Sequence, residues 1–385
     1  MKDVDVLIVG GGVAGSVAAK FAAKSGLRTV FIEKKKTPRH KACSGIQFMY
    51  LEKIIGEKVP RSRLCNNQLN RIKIFMPNGK SITAPFKMLN FMRKPFDDWL
   101  NQVAKENGAE FRDECEYVGH EDRGDHVVVS VKNTSEPSTT ETIKVRYLVD
   151  ATGLMPAIRK RLRPNDFSSK YTGGAVNYYI DGTSNMSPRT LYQFWNIDFN
   201  NAMFAWAYTK TLDDGKDYWV VGTGCNGSDL KERQEKFYMY IKENFALNGT
   251  IKEKEGYTIT INMLSKDRVW LGQGRVLMAG DAAGLIDMVR GVGMDAAALS
   301  GRLAAKAIVH ADKKGTDGLG EYTRLMKTVV NQTKKNQGRE IGGYTTNAEL
   351  QSHLDKSLLP MGFGLIFQNG LNAIRPAERQ RLLPP

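Results

Sequence analysis

The chain has 385 residues, 41% hydrophobic and 25% charged, which is an ordinary globular composition with room for two or three domains. It has 56 Lys and Arg against 41 Asp and Glu, and the net charge of +15 favours anionic partners such as phosphorylated cofactors or acidic lipid surfaces. The sequence contains no zinc-finger, RNP-like or basic-zipper pattern, so we expect no nucleic-acid partner.

The first predicted elements are a strand, a glycine turn, a helix and a second strand. The β-branched run "VLIVG" predicts a buried strand, and apolar residues at positions 14, 17, 18, 21 and 22 have helical spacing. "RTVFIE" then predicts a strand that ends near Glu33. Asp3 and Asp5 stand where a secretion signal needs positive charge, so the segment is not predicted to be a targeting peptide.

The glycine turn at residues 10–15 matches the pattern G-x-G-x-x-G. The first glycine permits a tight turn, the second lets backbone N–H groups approach a pyrophosphate, and the third lets the helix pack closely on the strand. The helix N-terminus offers free N–H groups to phosphates, and an acid at position 33 can accept hydrogen bonds from an adenosine ribose. We expect a dinucleotide to be bound by Gly10, Gly12, Val13, Ala14, Gly15, Glu33 and Lys34.

Two later segments are predicted to approach the same ligand. "FMRKPFDDWLNQVAKENGAEF" predicts a helix that starts near Pro95, and Arg93 just before it is placed for a phosphate or ribose contact. In "YLVDATGLMPAIRKRL" a strand ends at a corner of small residues, which lets the strand end come close to a ligand. The corner consists of Ala151, Thr152 and Gly153.

A last glycine-rich stretch indicates which dinucleotide binds. "RVLMAGD" predicts a buried strand that ends at Gly280 and Asp281, followed by a glycine loop and a small-residue helix from about Met294. Asp281 can hold a ribityl hydroxyl, and the turn at Gly291 and Gly293 can direct the helix N-terminus toward the pyrimidine edge of a flavin. This stretch therefore points to FAD.

The order of these motifs resembles the p-hydroxybenzoate hydroxylase superfamily of FAD proteins: G-x-G-x-x-G with an acid, R-x-x-F-D-x-x-L, D-A-T-G, and G-D-A-A-G followed by G-x-G. Within it, the chain is similar to the geranylgeranyl reductase family. "PRHKACSG" resembles the family's P-x-x-K-x-C-G-G loop, "FAWAYTK" its Y-x-W-x-F-P-K segment, and "SGRLAA" its S-G-x-x-A-A helix. The chain departs from the family at Ser44, where the family has Gly, and at Tyr208 and Thr209, where it has Phe-Pro.

The resemblance implies an FAD-dependent oxidoreductase with an α/β fold. We predict a discontinuous Rossmann-like FAD-binding domain, residues 1–170 and 266–345, with an inserted antiparallel β-sheet substrate domain, residues 171–265. The alternating runs "AVNYYI", "TLYQFW", "MFAWAYT" and "YWVVGTG" are typical of half-buried strands in such a sheet. By resemblance the loop residues Cys43, Ser44 and Gly45 lie near the flavin, and Trp206 and Tyr208 contact the substrate.

The resemblance favours hydride transfer from the reduced flavin to a C=C bond of a hydrophobic, prenyl-like substrate, with Cys43 as the proton donor or as a group that tunes the flavin. A flavin monooxygenase that hydroxylates an aromatic substrate remains an alternative, followed by a flavin-dependent halogenase and an electron-transfer flavoprotein. No second G-x-G-x-x-G opens a helix, so reduction would come from transiently bound NAD(P)H or an external electron carrier.

The remaining features bear on location. The four cysteines are scattered and form no C-x-x-C pair, which excludes an iron–sulfur or zinc signature and fits a reducing, cytoplasmic compartment. The apolar stretch "LLPMGFGLIFQNGLNAI" belongs to a predicted C-terminal helical tail, residues 346–385, and is shorter than the ~18–20 residues of a membrane span. The tail can dock on the core, cap a hydrophobic tunnel or make a peripheral membrane contact.

Overall fold

The computed structural model describes residues 3–136, 139–167, 173–201, 204–259, 268–287, 290–337 and 344–383. The strands in chain order are β1 (Asp3–Val9), β2 (Thr29–Ile32), β3 (Ile46–Phe48), β4 (Leu69–Phe75), β5 (Ser81–Asn90), β6 (Glu110–Arg112), β7 (Cys115–Asp122), β8 (Val127–Asn133), β9 (Thr140–Asp150), β10 (Gly173–Thr183), β11 (Thr190–Phe194), β12 (Ala205–Thr211), β13 (Asp217–Asn226), β14 (Asn248–Ile259), β15 (Gly272–Gln273) and β16 (Val276–Met278). The α-helices are α1 (Val13–Lys24), α2 (Leu51–Ile55), α3 (Arg61–Leu64), α4 (Arg93–Glu106), α5 (Ala157–Leu162), α6 (Leu230–Asn244), α7 (Met294–Lys314), α8 (Gly318–Gln337) and α9 (Asn347–Ile374).

The first sheet is Rossmann-like and draws on both ends of the chain. Its order is β15-β16-β9-β1-β2-β6, and β7 and β8 extend it from β9 as an antiparallel pair. The strands β16, β9, β1, β2 and β6 run parallel, and they bury their apolar side chains as parallel sheets do. Because β16 pairs with β9, the predicted discontinuous nucleotide-binding fold is confirmed.

The two ends of the chain are also joined through helices α1 and α7, which meet backbone to backbone. A Cβ atom placed on Gly301 of α7 would lie 2.1 Å from the carbonyl oxygen of Ala14 in α1, and one on Gly280 would lie 3.1 Å from the Ala14 Cβ. Side chains in this crossing are small and buried, including Ala18 and Ala298. The helices can therefore approach this closely only because Gly301 has no side chain.

The second sheet has the order β14-β10-β13-β12-β11-β4-β5-β3 and is antiparallel except where β11 pairs with β4. The four alternating runs of the sequence form β10 to β13. The structure adds β3, β4 and β5, which the sequence analysis had assigned to the FAD-binding part of the chain at 1–170. Strand β4 pairs with the edge strand β11, and β5 and β3 follow it. This long-range parallel pairing cannot be predicted from the local periodicity of residues 46–90.

Two helices differ in detail from their sequence-based predictions. Helix α4 starts at Arg93, two residues before Pro95, because a proline in the first helical turn loses no intrahelical hydrogen bond. Helix α9 runs uninterrupted from Asn347 to Ile374 through Pro360. Among the described residues, the helices are too short or too polar to cross a membrane.

The crossing of α1 and α7 generates a first prediction. We expect Gly301→Ala to lower the free energy of unfolding by about 2–3 kcal/mol, because the new methyl group would force the two helices apart. Urea denaturation of both proteins measures this change. The control is Gly362→Ala in α9, where a Cβ would meet no atom within 4 Å. This substitution should raise the free energy of unfolding by up to ~1 kcal/mol, because alanine favours a helix more than glycine does. Equal stabilities of the two variants would contradict the close crossing.

Candidate cofactor and substrate site

The glycine turn after β1 is shaped by close backbone contacts. Gly10 has φ +113°, and a Cβ there would lie 2.4 Å from the carbonyl oxygen of Ala151 at the end of β9. A Cβ on Gly15 would lie 1.8 Å from the carbonyl oxygen of Gly10. Both positions therefore require glycine for the fold itself, before any ligand is considered.

Gly12 differs from these two glycines, because its missing side chain leaves open space. A Cβ there would contact only the Nη2 atom of Arg39, at an ordinary 3.4 Å. Gly12 is the N-cap of α1, and this helix start has neither a side-chain cap nor an acid in its first turn. The N-terminal amides of α1, which begins with Val13 and Ala14, thus have no side-chain partner from the first turn of the helix and are available to a pyrophosphate.

Glu33 lies at the end of β2, next to the glycine turn, and is buried. Its carboxylate accepts hydrogen bonds from the amides of Gly11, at 3.2 Å, and Lys35, at 3.1 Å, and it pairs with Arg39 at 2.9 Å. A carboxylate offers about four acceptor positions, so one stays available for a ribose hydroxyl. The Lys34 side chain, predicted to bind the cofactor, is exposed to solvent.

Arg93, the first residue of α4, is buried in a charge cluster. Its guanidinium donates two hydrogen bonds of 2.8 Å to Asp97, and Asp97 also lies 3.4 Å from Arg39. Burial opposes the charge of Arg93, but Asp97 and the Cys43 thiol outweigh it and raise the pKa of Arg93. The cluster therefore holds two fixed cations beside the glycine turn. Sequence reasoning named Arg93 but missed Arg39, although Arg39 stands in the quoted "PRHKACSG" loop.

The loop at residues 38–45 also reaches the segment after β16. A Cβ on Gly153 would lie 3.6 Å from the Nζ atom of Lys41, which brings the small-residue corner after β9 to this loop. Burial raises the pKa of Asp281, and the charges of Lys41 and Arg93 act in the opposite direction. A Cβ on Gly293 would lie 3.5 Å from the Oδ1 atom of Asp281, so the last glycine loop meets the same place.

The glycine loop before α7 is held by buried charges. Gly291 has φ +62°, and Gly293 is the N-cap of α7, which starts at Met294 as predicted. Arg290 pairs with Asp295 in the first turn of the helix, and both side chains are 1% exposed. These contacts fix the loop. Gly293 supplies no side-chain cap, but the Asp295 carboxylate accepts from the Ala296 amide at 2.7 Å, and Arg290 offsets the charge of this carboxylate.

The corner after β9 has a structural task as well. Asp150 accepts hydrogen bonds from the amide and hydroxyl of Thr152, at 3.0 and 2.6 Å. It also accepts from the amides of Ile158 and Arg159 in α5. The carboxylate therefore fixes Ala151, Thr152 and Gly153 against the glycine turn, in the place that the sequence predicted for them.

The second sheet meets the cofactor region at the Cys43 loop. Gly45 has φ +62°, and a Cβ there would lie 1.8 Å from the carbonyl oxygen of Phe91. The buried Lys210 amine donates to the carbonyl oxygens of Ser44 and of Phe91, the latter at 2.9 Å. Tyr208, fully buried, donates to the Ser44 carbonyl at 3.4 Å. Two side chains of β12 therefore hold the loop through its backbone carbonyl oxygens, and these contacts do not depend on the side chain at position 44.

A buried carboxylate next to this loop was missed by the sequence analysis. Glu255 in β14 accepts from the Tyr179 hydroxyl at 3.0 Å and from the Asn177 amide at 3.3 Å, and it lies 3.2 Å from the His40 Nε2 atom. Asn177 in turn accepts from the Trp206 indole at 2.8 Å. We call Glu255, Tyr179, Asn177 and His40 the Glu255 network. Its only sequence signal is an acid facing inward in the alternating strand "KEKEGYTI".

Comparison with known proteins identifies the family. An FAD binding domain model matches residues 66–337, and a second FAD binding domain model matches residues 5–59. The chain belongs to the FAD binding domain family. The predicted FAD cofactor is thereby confirmed, and the chain is an FAD-dependent oxidoreductase.

Individual relatives agree with the predicted branch. Digeranylgeranylglycerophospholipid reductase 3 of Methanosphaera stadtmanae is 26% identical over 330 residues, which are 81% of this chain and 80% of the relative. The crystal structure of a geranylgeranyl bacteriochlorophyll reductase-like protein from Thermoplasma acidophilum has a TM-score of 0.77 at 21% identity, covering 92% of this chain and 91% of that one. The p-nitrophenol 4-monooxygenase PnpA of Pseudomonas putida shares the fold with a TM-score of 0.68 at 15% identity, covering 97% and 100%. The predicted resemblance to geranylgeranyl reductases is confirmed.

The residues of the site fit FAD. The space at Gly12 and the uncapped α1 suit the pyrophosphate, Glu33 suits the ribose, and Arg39 and Arg93 supply positive charge. Asp281 and the N-terminus of α7 would lie toward the flavin end.

A substitution at Gly12 should change FAD affinity without changing the stability of the apoprotein. We expect Gly12→Ala to change the free energy of unfolding of the apoprotein by less than about 0.5 kcal/mol, because the methyl group fits the protein. FAD affinity should fall on the order of 100-fold, because the methyl group occupies the space that the pyrophosphate needs. Fluorescence titration of the apoprotein with FAD measures this. The control Gly15→Ala would clash with the backbone and should lower both the stability of the apoprotein and its FAD affinity. An unchanged FAD affinity of Gly12→Ala would contradict this cofactor position.

Burial of Lys210 predicts a pH dependence of stability. Burial lowers the pKa of Lys210 from 10.5 to about 8, so below pH 8 the folded state bears the full cost of the buried charge. As the pH rises from 8 to 10.5, the folded state loses this proton before the unfolded state does, and the cost disappears. The stability of the wild type relative to Lys210→Met should therefore increase by about 3 kcal/mol over this range. Denaturant titrations at several pH values measure the difference, and a constant difference would contradict the buried amine.

Proposed function

We propose that the chain is an FAD-dependent reductase that saturates a C=C bond of a hydrophobic, prenyl-type substrate where the Cys43 loop meets the second sheet. The position of Cys43 supports this proposal most directly. Its Sγ atom accepts a hydrogen bond from the Gly45 amide at 3.5 Å, and Cys43 raises the pKa of Arg93 in the cofactor region and of Tyr179 in the second sheet. Cys43 therefore lies on the loop where the cofactor region meets the second sheet.

The reaction needs a hydride and a proton at neighbouring carbons. Reduced FAD supplies the hydride. Cys43 is the proposed donor of the proton, from its Sγ atom to the second alkene carbon. The half-buried Cys43 side chain lies on a loop whose backbone is clamped by Lys210 and Tyr208, which keeps the thiol in one position.

The Glu255 network is the proposed route by which the site regains this proton. The His40 side chain is 60% exposed, whereas Glu255 is 4% exposed, so the pair connects solvent to the interior. Glu255 then contacts the buried Tyr179, on which the Cys43 thiol acts electrostatically. A proton taken up at His40 can thus move to Glu255 and Tyr179, toward the place where Cys43 gave one away.

The aromatic wall of the second sheet suits an apolar substrate. The Trp206 indole is fixed by Asn177, and Gly222 provides the space for this contact, since a Cβ there would lie 2.3 Å from the Trp206 Nε1 atom. We propose Trp206 as a substrate contact, and Tyr208, which has no exposed surface, as a residue that holds the Cys43 loop next to it. The relatives named as reductases of geranylgeranyl compounds support a prenyl-type substrate. Donors of the electrons are NAD(P)H, bound transiently, or an external carrier.

Anaerobic reoxidation tests this function. The protein with bound FAD is photoreduced without oxygen and mixed with geranylgeranyl lipids or with aromatic acids. We expect the yellow colour to return with the geranylgeranyl lipids, and mass spectrometry to show a gain of two hydrogens in the product. Substrate-dependent oxygen consumption with an aromatic acid would contradict the reductase and support a monooxygenase.

A substitution at Cys43 tests the proton donor. We expect Cys43→Ala to slow reoxidation by the alkene by about 10²–10⁴-fold, while reduction of FAD keeps its rate, because only the second half of the reaction needs the proton. Stopped-flow absorbance separates the two halves. Cys115→Ala, which removes a buried thiol from β7 in the first sheet, is the matched control and should keep both rates. Equal rates of reoxidation in the two variants would rule out Cys43 as donor.

A further inference from the structure

The C-terminal half of α9 exposes large apolar side chains along one face. Leu359, Phe363, Ile366, Phe367 and Ile374 are between 67% and 80% exposed. Apart from the neighbours Ile366 and Phe367, successive members are three, four or seven residues apart, which places the set on one side of a helix. We call these five residues the apolar ridge. Single exposed apolar residues are common on protein surfaces, but a continuous row of this size marks an interaction site.

The helix that carries the ridge is docked by its other side. Leu350 and Leu354 are buried, and Leu365 packs against the main core. Asn372 is fully buried and donates to the carbonyl oxygen of Arg381, while Lys53 donates to the carbonyl oxygen of Ala373 at 2.8 Å. The ridge is therefore held outward by a fixed helix.

We propose that the apolar ridge binds the surface of an anionic lipid bilayer, with α9 lying in the interface. Residues 357–374 contain no charged side chain, and Lys356, Arg375, Arg379 and Arg381 border them. Asp355 offsets Lys356 at one end, whereas the acid at the other end, Glu378, is paired with Arg302, so the three arginines keep their positive charge. An apolar face bordered by basic residues, on a chain with net charge +15, is complementary to acidic headgroups above acyl chains.

A groove lies beside the ridge, and its use by a lipid substrate rests on the proposed function. The groove has a volume of about 740 Å³ and lies between α2 and the end of α9, lined by Tyr50, Lys53, Lys58, Asn369 and Ala373 among others. The Tyr50 hydroxyl donates to Asp295 in the first turn of α7. The lining is mostly charged and polar, with Glu52 and Glu57 beside the two lysines, so the groove suits a lipid headgroup at the membrane surface.

Vesicle flotation tests the ridge directly, and it does not depend on turnover. Holoprotein is mixed with phosphatidylcholine vesicles that contain about 30 mol% phosphatidylglycerol, or none. We expect flotation only with the anionic vesicles. The double variant Phe363→Ser/Phe367→Ser should bind at least about tenfold more weakly, since it loses two aromatic side chains that would insert into the membrane surface. The double variant Arg379→Gln/Arg381→Gln should also bind about tenfold more weakly, and wild-type binding should fall with salt.

A matched control separates the ridge from general surface hydrophobicity. Met155 and Met239 are exposed apolar residues outside α9, at 67% and 45%. Met155→Ser/Met239→Ser should bind vesicles within about twofold of the wild type. Thermal unfolding of each variant checks that the fold is kept.

Two outcomes would overturn the proposal directly: the wild type does not float with vesicles, or the ridge and control variants lose binding equally. In a third outcome, light scattering shows that the wild type is a dimer and the variant Phe363→Ser/Phe367→Ser is a monomer, and neither binds vesicles. This outcome would assign the ridge to a second copy of the chain. Reduction of a short, detergent-dissolved prenyl alcohol should be equal in wild type and ridge variant. If the wild type reduces no prenyl compound but floats as described, the proposed function fails and the membrane contact stands.

Discussion

The close crossing of α1 and α7 is the contact on which the cofactor site depends. The first 15 residues and the segment after β16 are far apart in the chain, and each carries half of the site. Gly301 lets the backbone of α7 reach the carbonyl oxygen of Ala14, and Gly280 lies beside the same residue. This contact brings the start of α1 and the start of α7 onto the same side of the fold, and we propose that the first binds the phosphates and the second faces the flavin end.

Buried charges hold the loops that complete the site. Arg93 with Asp97, and Arg290 with Asp295, are almost fully buried pairs. Such pairs gain little over apolar side chains of the same size, because removing both charges from water costs nearly as much as their attraction returns. Their value here is geometric. Each partner accepts only one arrangement of the other, so Arg93 stays beside the glycine turn and the Arg290 loop stays at the head of α7.

Local patterns in the sequence predicted the Rossmann-like fold and the FAD cofactor, although they missed Arg39 beside Glu33 and Asp97. Glycines that a Cβ would disrupt, such as Gly10 and Gly15, stand in a fixed spacing with a strand before and a helix after them, and this order predicts both fold and ligand. The substrate half was much less predictable. Strand β4 joins the second sheet by parallel pairing with β11, and Glu255 meets His40 across more than 200 residues. Neither contact has a local periodic signal, so only the folded chain shows them.

The exposed face of α9 shows a similar limit. Its apolar run was visible in the sequence, with docking, a tunnel cap and a membrane contact as alternatives. One side of α9 packs against the core, and the side that carries the apolar ridge is exposed. Amphipathic patterns reveal that a helix has an apolar side, but α9 is apolar on two sides, and which one is covered follows from the position of the core.

The central claim is that one FAD is bound jointly by the two ends of the chain. Hydrogen exchange of the apoprotein, measured by mass spectrometry during titration with FAD, tests it most directly. Peptides that cover residues 10–15 and residues 280–287 should gain protection together, with one midpoint near one FAD per chain. Protection of the first peptide alone, or two separate midpoints, would contradict a single cofactor shared by both halves.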